Sequence, residues 1–561
     1  MTFTTNHNFS LTRRKHDIRL GFEAARHVLN HYSPDGGGNG GPQGALLFTQ
    51  GITSTRGATL TPFNSYAAYL LGLPETMRRA AQQEIMTAYN NQFALYVRDR
   101  WQATSKLTFS VGLRYELYPL QTRSGRGGIE GYDPTTNIVS LGGVNQIPKD
   151  VGISTSHKLF APRVGFAYRL GARTVVRSGY GFTFMPMAMA RPLRGFFPLI
   201  FASNFNSANS FQPVRTIEQG IPLIVLPDLS SGRVPLPATV QMRFIPTSEL
   251  HRGYVQSWNF VVERQLPGQF ITSIGCVGTR TVHSFGDLEI NAAAPGAGTA
   301  GRPLNVKFGH TVDTWAWDGY LNANYHALQV SVNRRAADGL TLKGAYTYSR
   351  AINQTDDDGW TGTINWNWAP VFNRNRAQAG YNIPQIFQMG FVYELPMGKG
   401  KKYANSGVSK WVAGGWQVNG IFASFMGRPF TVAAAAGALN APGNTQTADQ
   451  VKPVVDKPGR IGVGQPFFDP SAFAAPTGVR FGSSGRNLLR GPGIVNFDLG
   501  LFRKFPIGER VNLEFRAEAA NASNTPHFSN PNANINGANF MAVTSALLDQ
   551  RQFRLGLRMA W

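Results

Sequence analysis

The chain has 561 residues and a formal net charge of +23, yet only 15% of its residues are charged, against about 25% in ordinary soluble proteins. A single cysteine, Cys276, excludes an intramolecular disulfide and a cysteine-based zinc site. No run of 18 apolar residues occurs, which excludes a transmembrane helix, and the opening MTFTTNHNFSLTRRKHDIRL lacks the apolar stretch of a signal peptide.

The strongest signal is alternation, met from one end of the chain to the other. A first strand is read at about 7–13, turning near Arg14. KLTFSVGLRYELYPL sets Leu107, Phe109, Val111, Leu113, Tyr115 and Leu117 against Thr108, Ser110, Gly112, Arg114 and Glu116. It follows Trp101 and the turn QATS. A hairpin is expected to turn at Gly171-Ala172. SWNFVVERQL sets Trp258, Phe260, Val262 and Leu266 against Ser257, Asn259, Glu263 and Gln265, and Pro267-Gly268 follows. ALQVSVNRR sets Leu328, Val330 and Val332 against Gln329, Ser331 and Asn333, ahead of Asp338-Gly339, a strong hairpin signal. VNLEFRAEA sets Val511, Leu513, Phe515 and Ala517 against Asn512, Glu514, Arg516 and Glu518. The last segment, RQFRLGLRMAW, sets Phe553, Leu555, Leu557, Met559 and Trp561 against Gln552, Arg554, Gly556 and Arg558. Period two means strands whose two faces meet different surroundings.

Short turns alternate with long connections. The long ones run at roughly 29–89, 119–159, 184–253, 280–323, 350–382, 428–493 and 520–550, and one junction, about 396–413, is intermediate. A soluble β-sandwich also alternates, but its strands average about 5–6 residues. Strands of about 10–12 residues, at about 3.3 Å per residue and a tilt near 40°, span roughly the 25 Å apolar band of an outer-membrane barrel. Aromatic residues near strand ends (Trp101, Tyr115, Tyr118, Tyr254, Trp258, Trp416, Trp561) suit interfacial girdles. The fold class expected is all-β: a transmembrane antiparallel β-barrel of outer-membrane type, with about 15–16 strands countable and long extracellular loops. The apolar parity, Cys276 included, faces lipid and the polar parity faces the lumen. Asp99 and Arg503 fall on the apolar parity, near short turns.

The polar parity carries Arg98, Arg100, Arg114, Arg163, Arg169, Arg516, Arg554 and Arg558. Scattered in this way, they suit a lumen lining, contact with anionic lipopolysaccharide, or an anion preference in the pore. Nucleic acid, which wants a compact basic patch with stacking aromatics, is not an expected partner. No H-E-x-x-H, G-x-S-x-G or P-loop motif occurs, so no catalytic residue, no metal ligand and no cofactor is expected, and no enzyme. His157, His251, His283 and the run Asn30 to Asp35 lie in loops or near strand ends. Asp356, Asp357 and Asp358 could hold a hard cation, but the simpler reading is a solvated acidic loop tip.

NQFALYVRDRWQATSKLTFSVGLRYE resembles the strand-turn-strand signature of TonB-dependent outer-membrane transporters. APRVGFAYRLGARTVVRSGYGFTF resembles the next hairpin of that family. NSYAAYLLGLP, YVQSWNFVVERQLPG and HALQVSVNRRAADGLTLKGAYTYSR resemble its Oar-like branch. The likeness spans nearly all of residues 1–561 as barrel. The family's signal peptide, TonB-contact box and plug are not recognisable here, and its barrels have 22 strands. Strand 551–561 must run toward the periplasm, because a long loop precedes it. Counting back, the chain begins on the extracellular side, so either one strand escapes the reading or this is the C-terminal part of a longer protein. The resemblance implies location in the outer membrane. It also implies import of an unknown ligand, driven by the TonB energy-transducing complex acting through a plug not present here. A passive porin-like channel and a surface adhesive or structural protein are the alternatives. Ligand contacts are expected in loops 184–253, 280–323 and 428–493, with no residue named. The family's terminal strand is read by the barrel assembly machinery, which assigns that signal to Phe553, Leu555, Leu557, Met559 and Trp561.

Overall fold

The computed structural model describes residues 1–32, 40–54, 62–124, 128–187, 197–207, 211–246, 248–250, 252–357, 364–437, 439–507, 511–547 and 550–561. Fifteen long strands, joined by three short ones at Thr122–Arg123, Met242–Phe244 and Ala377–Gln378, form one wall: β1 (Thr2–Arg13), β2 (His16–His31), β3 (Met86–Trp101), β4 (Leu107–Leu117), β5 (Phe160–Gly171), β6 (Thr174–Phe184), β7 (Tyr254–Leu266), β8 (Phe270–Glu289), β9 (Thr314–Ala337), β10 (Leu340–Asn353), β11 (Gln385–Glu394), β12 (Trp416–Phe425), β13 (Ile494–Ile507), β14 (Val511–Ala520) and β15 (Gln552–Ala560). Each pairs antiparallel with the next in chain order. The outer edges of β1 and β15 have no strand partner among the described residues.

Local chemistry sets the short connections. Asp338 (φ 51°) and Gly339 (φ 78°) form the two-residue turn between β9 and β10, and positive φ at both positions is what a type I′ hairpin requires. The Thr104 hydroxyl accepts from the Lys106 and Leu107 amides and so closes the β3–β4 turn. The β5–β6 turn falls on Ala172-Arg173, one residue later than expected, because Gly171 still pairs with Thr174. The turn after Ile507 lies outside the described residues.

Several strands outrun the length read from the sequence. β2 and β3 have 16 residues, β8 has 20 and β9 has 24. The long connection read at 280–323 therefore shrinks to 290–313. Beyond the apolar band both faces of a strand are polar or loop-covered, so alternation fades while pairing continues. An irregularity between Thr281 and Ser284, with His283 at φ 55°, also breaks the phase there.

The faces are inverted relative to a soluble protein. On β4, Val111 and Leu113 are 56% and 43% exposed, whereas Glu116, on the opposite parity, is 3% exposed. Leu95, Val97, Phe260, Ile274, Leu328 and Leu499 share the exposed apolar face. Cys276 lies on it between Phe260 and Leu328 and is exposed. A contiguous apolar surface of this size is stable only against lipid.

Aromatic rings border that face at both ends. At the short-turn end Trp101 stacks between His16 and Phe109, with centroids 6.0 and 5.8 Å away, and Trp416 meets Phe515 at 6.3 Å. At the long-loop end Tyr115 meets Phe160 at 4.9 Å, and Tyr254 lies 5.8 and 6.0 Å from Phe182 and Phe184. Tyr118 departs from the expectation: it is buried beneath the loops and faces no lipid. The two charged intruders find local partners. Asp99 is bonded to the His16 ring at 2.7 Å. Arg503 lies over the rings of Trp416 and Phe505, at 5.2 and 4.3 Å.

The long connections fold against one another. Ala45–Leu47, Thr76–Gln82 and Ile200–Asn206 form one small sheet, and Glu130–Asp133, Ile138–Leu141 and Arg233–Pro235 form another. Leu141, Phe197, Leu199, Val240, Met242 and Leu304 close one apolar core. Leu120, Ile153, Leu250, Phe285 and Trp317 close a second. Phe430, Phe467, Phe468 and Phe473 meet Met541 and Val543 in a third. Each such side chain, fully buried, contributes about 1.5–3 kcal/mol. The loops are therefore packed structure that covers the long-loop end of the wall.

Candidate transport surface

The polar face of the wall is built by register. Arg98, Gly112, Arg163 and Gly181 lie side by side across β3, β4, β5 and β6. Glycine beside arginine leaves room for the side chain: a Cβ on Gly181 would stand 3.0 Å from Arg163 Cγ. The Arg114 guanidinium donates to both Glu23 and Glu116. Asp17 lies 3.7 Å from Arg19 and 3.8 Å from Arg98. On β14, Arg516 donates to Glu514 at 2.6 Å, and Glu514 and Glu518 stand opposite Arg558 and Arg554 of β15. Arg19 and Arg177 share this face and were missing from the sequence reading. The alternation of their own strands was the signal that could have found them.

The loop layer carries polar groups that sequence reasoning missed. Arg123 and Glu130 form a buried ion pair at 2.9 Å. Arg243 and Asp287 pair at 3.0 Å. The Arg252 guanidinium is buried and donates to the Tyr118 carbonyl at 2.8 Å, and burial pulls its pKa down to about 10. These pairs join residues with no periodic relation, so alternation gave no sign of them. A cleft of about 650 Å³ opens between the small sheet and residues 299–313, lined by Arg78, Asn204, Thr239, Arg302 and Asp313 among others. Its volume falls in the range of small-molecule sites. It involves the 184–253 and 280–323 segments named from the sequence.

The acidic tip is not simply solvated. Asp356 accepts from Asn353 Nδ2 and the Gly380 amide, both at 2.8 Å, and lies 3.5 Å from Arg486. It ties the 354–384 connection to the 426–493 loop, because Arg486 is buried and needs a counter-charge. Asp358 and His251 lie outside the described residues, as does part of the Asn30–Asp35 run. His157 is exposed. His283 Nδ1 sits 3.2 Å from the Gly319 carbonyl oxygen. Among the described residues no three His, Cys, Asp or Glu side chains gather as a metal site would require.

The terminal strand β15 pairs with β14 from Gln552↔Ala520 to Ala560↔Asn512. Phe553, Leu555, Leu557 and Met559 lie on one parity of it, all exposed, and Trp561 follows the last paired residue.

The chain belongs to the outer membrane beta barrel domain family, whose model matches residues 1–554. Its place is the cell outer membrane. No curated protein matches the sequence. Among solved structures it is similar to the outer membrane transporter YddB from Escherichia coli, at 8% identity and a TM-score of 0.45, covering 100% of this chain and 62% of that one. It is also similar to the siderophore receptor PiuA from Acinetobacter baumannii (9% identity, TM-score 0.43, covering 100% and 55%). A third is the FrpB iron transporter from Neisseria meningitidis (10% identity, TM-score 0.44, covering 100% and 54%). The chain thus spans about half to three-fifths of the length of these proteins.

Proposed function

We propose that this chain is the wall and loop part of an outer-membrane transporter that imports a ligand by TonB-coupled transport when joined to a plug. The observation that carries the reading is the pairing of an apolar, lipid-facing wall with an interlocked loop layer over its long-loop end. Such a layer presents a shaped surface to the outside and narrows free passage, which suits selective capture better than open diffusion. The likeness to TonB-dependent transporters, including the Oar-like hairpins, supports the energised mode. In a bilayer the free edges of β1 and β15 need strand partners, since unpaired backbone in hydrocarbon costs several kcal/mol per group. Further strands that close the wall are part of the proposal. Lipopolysaccharide would contact the upper aromatic border and the loop layer.

The test is made on protein purified from the native outer membrane with whatever polypeptide accompanies it. Capture by the periplasmic domain of TonB, together with liposomes that stay impermeable to small sugars, is the expected result. Size-graded sugar permeation without TonB capture would replace the reading with a passive channel.

A further inference from the structure

The polar face is not uniform in charge. On β7 to β10 it presents mainly neutral groups, such as Ser257, Asn259, Ser273, Ser331 and Thr341. On β2 to β6 it is rich in arginine. Toward the long-loop end this charge is compensated, since Arg114 holds two carboxylates. Toward the short-turn end it is not. Arg14, Lys15, Arg100, Lys106, Arg169 and Arg177 line one cleft of about 690 Å³. Of these, Arg177 reaches Glu263 at 3.7 Å. The other five have no carboxylate within ion-pair distance among the described residues. Asp17, the carboxylate on the lining, leans to Arg19 and Arg98. His16, also on the lining, is bonded to Asp99 on the far side.

Six cations around one concavity repel one another unless a counter-charge enters. Arginine forks match the paired oxygens of phosphate and carboxylate. Thr12, Gln102, Ser105 and Thr108 on the same lining add neutral donors. The volume suits a small molecule. No Phe, Tyr or Trp lines the cleft, so it offers no stacking platform for nucleic-acid bases. We infer that this cleft is a docking site for a small polyvalent oxyanion, a phosphorylated or polycarboxylate solute, at the short-turn end of the polar face. The inference goes beyond the transport reading and does not depend on whether import is energised.

The experiment uses the protein purified from the outer membrane in a neutral detergent with whatever polypeptide accompanies it, with inorganic pyrophosphate as probe and isothermal titration calorimetry as readout. Saturable binding is expected, with sodium chloride at equal ionic strength unable to abolish it. The Arg100→Gln/Arg169→Gln double variant should weaken binding about tenfold or more. Neither arginine has a carboxylate partner to orphan, so its fold should survive. Arg100→Lys/Arg169→Lys keeps the charge but loses the fork, and its affinity should fall between those of the wild type and the glutamine variant. Lys399→Gln/Lys402→Gln removes the same charge from the 395–415 turn and should change nothing. Four results overturn the proposal: no saturable binding, unchanged affinity in the glutamine variant, equal loss in the Lys399/Lys402 control, or occupation of the site by short-chain phosphatidylglycerol in preference to pyrophosphate.

Discussion

Arg123 and Glu130 pair at 2.9 Å with both side chains almost wholly withdrawn from solvent. The Arg123 guanidinium also donates to the Gly128 carbonyl and points at Met86 Sδ. It thereby joins the 118–159 connection to the top of β3. Removing one partner of a buried pair leaves an uncompensated charge, which costs about 3–5 kcal/mol. Glu130→Ala should therefore loosen this part of the loop layer. The Arg123→Met/Glu130→Leu double variant should sit close to wild type. Limited proteolysis of whole cells, read as the protection of residues 118–159, checks both. Equal fragility of the single and double variants would show that packing alone holds this loop.

The two parities of β14 should lie on opposite sides of the wall. With Cys276→Ser as background, a single cysteine at Arg516 should react with a water-soluble maleimide in intact membranes. One at Phe515 should not, because it shares the lipid face with Arg503 and Trp416. Mass spectrometry of the labelled protein decides. Equal labelling, or the reverse, would contradict the assignment of faces.

How far the sequence disclosed this architecture depends on where water and lipid lie. Leu107 to Leu117 was legible because one side of the strand meets hydrocarbon and the other does not, which imprints period two. The Asp338-Gly339 hairpin was legible for another reason, because both of its positions need positive φ, which Asp-Gly supplies. Alternation failed in the loop layer. Leu199, Ile200 and Phe201 are consecutive and all buried, because they fold among several neighbours and not across one boundary. Arg486 and Asn353, which hydrogen-bond across 133 residues, share no local pattern at all. On the wall, the sequence reading missed Arg19 and Arg177 although its own rule would have found them.

His310 should make part of the loop layer sensitive to acid. Its ring is fully buried, with Nδ1 3.1 Å from the Pro237 carbonyl oxygen and Nε2 2.9 Å from the Thr314 hydroxyl. Burial pushes its pKa below the ordinary value of 6.5. The unfolded layer therefore binds a proton more readily than the folded one. Its contribution to stability is complete above about pH 6.5 and falls as the pH drops from there toward the lowered folded value. The protection of the amides of residues 290–313, taken relative to their intrinsic exchange rates at each pH, should fall on going from pH 7.5 to 5.5. His310→Gln should flatten that dependence. An unchanged pH profile in the variant would assign it to other groups.

Trp561 separates pairing from recognition. The β14–β15 ladder ends at Asn512↔Ala560, so deleting Trp561 leaves every cross-strand pair of the wall in place. What the deletion removes directly is one aromatic side chain, 90% exposed in the isolated chain and in contact with the interface once in a membrane. That loss is worth on the order of 1–3 kcal/mol of burial, which a wall of fifteen long paired strands can bear. A signal read by the assembly machinery behaves differently. Phe553, Leu555, Leu557 and Met559 present an alternating apolar row on an outer edge, and the terminal aromatic completes it. Without that residue the chain would not be handed into the membrane and would remain in the periplasm for proteases. The protein, exported behind a signal peptide, is assayed by heat-modifiable mobility in outer-membrane fractions. Deletion of Trp561 should abolish the membrane-inserted form, while Trp561→Phe, which keeps a terminal ring, should insert near the wild-type level. Normal insertion of the deletion variant would reduce Trp561 to an interfacial anchor, since the ladder it leaves behind is complete.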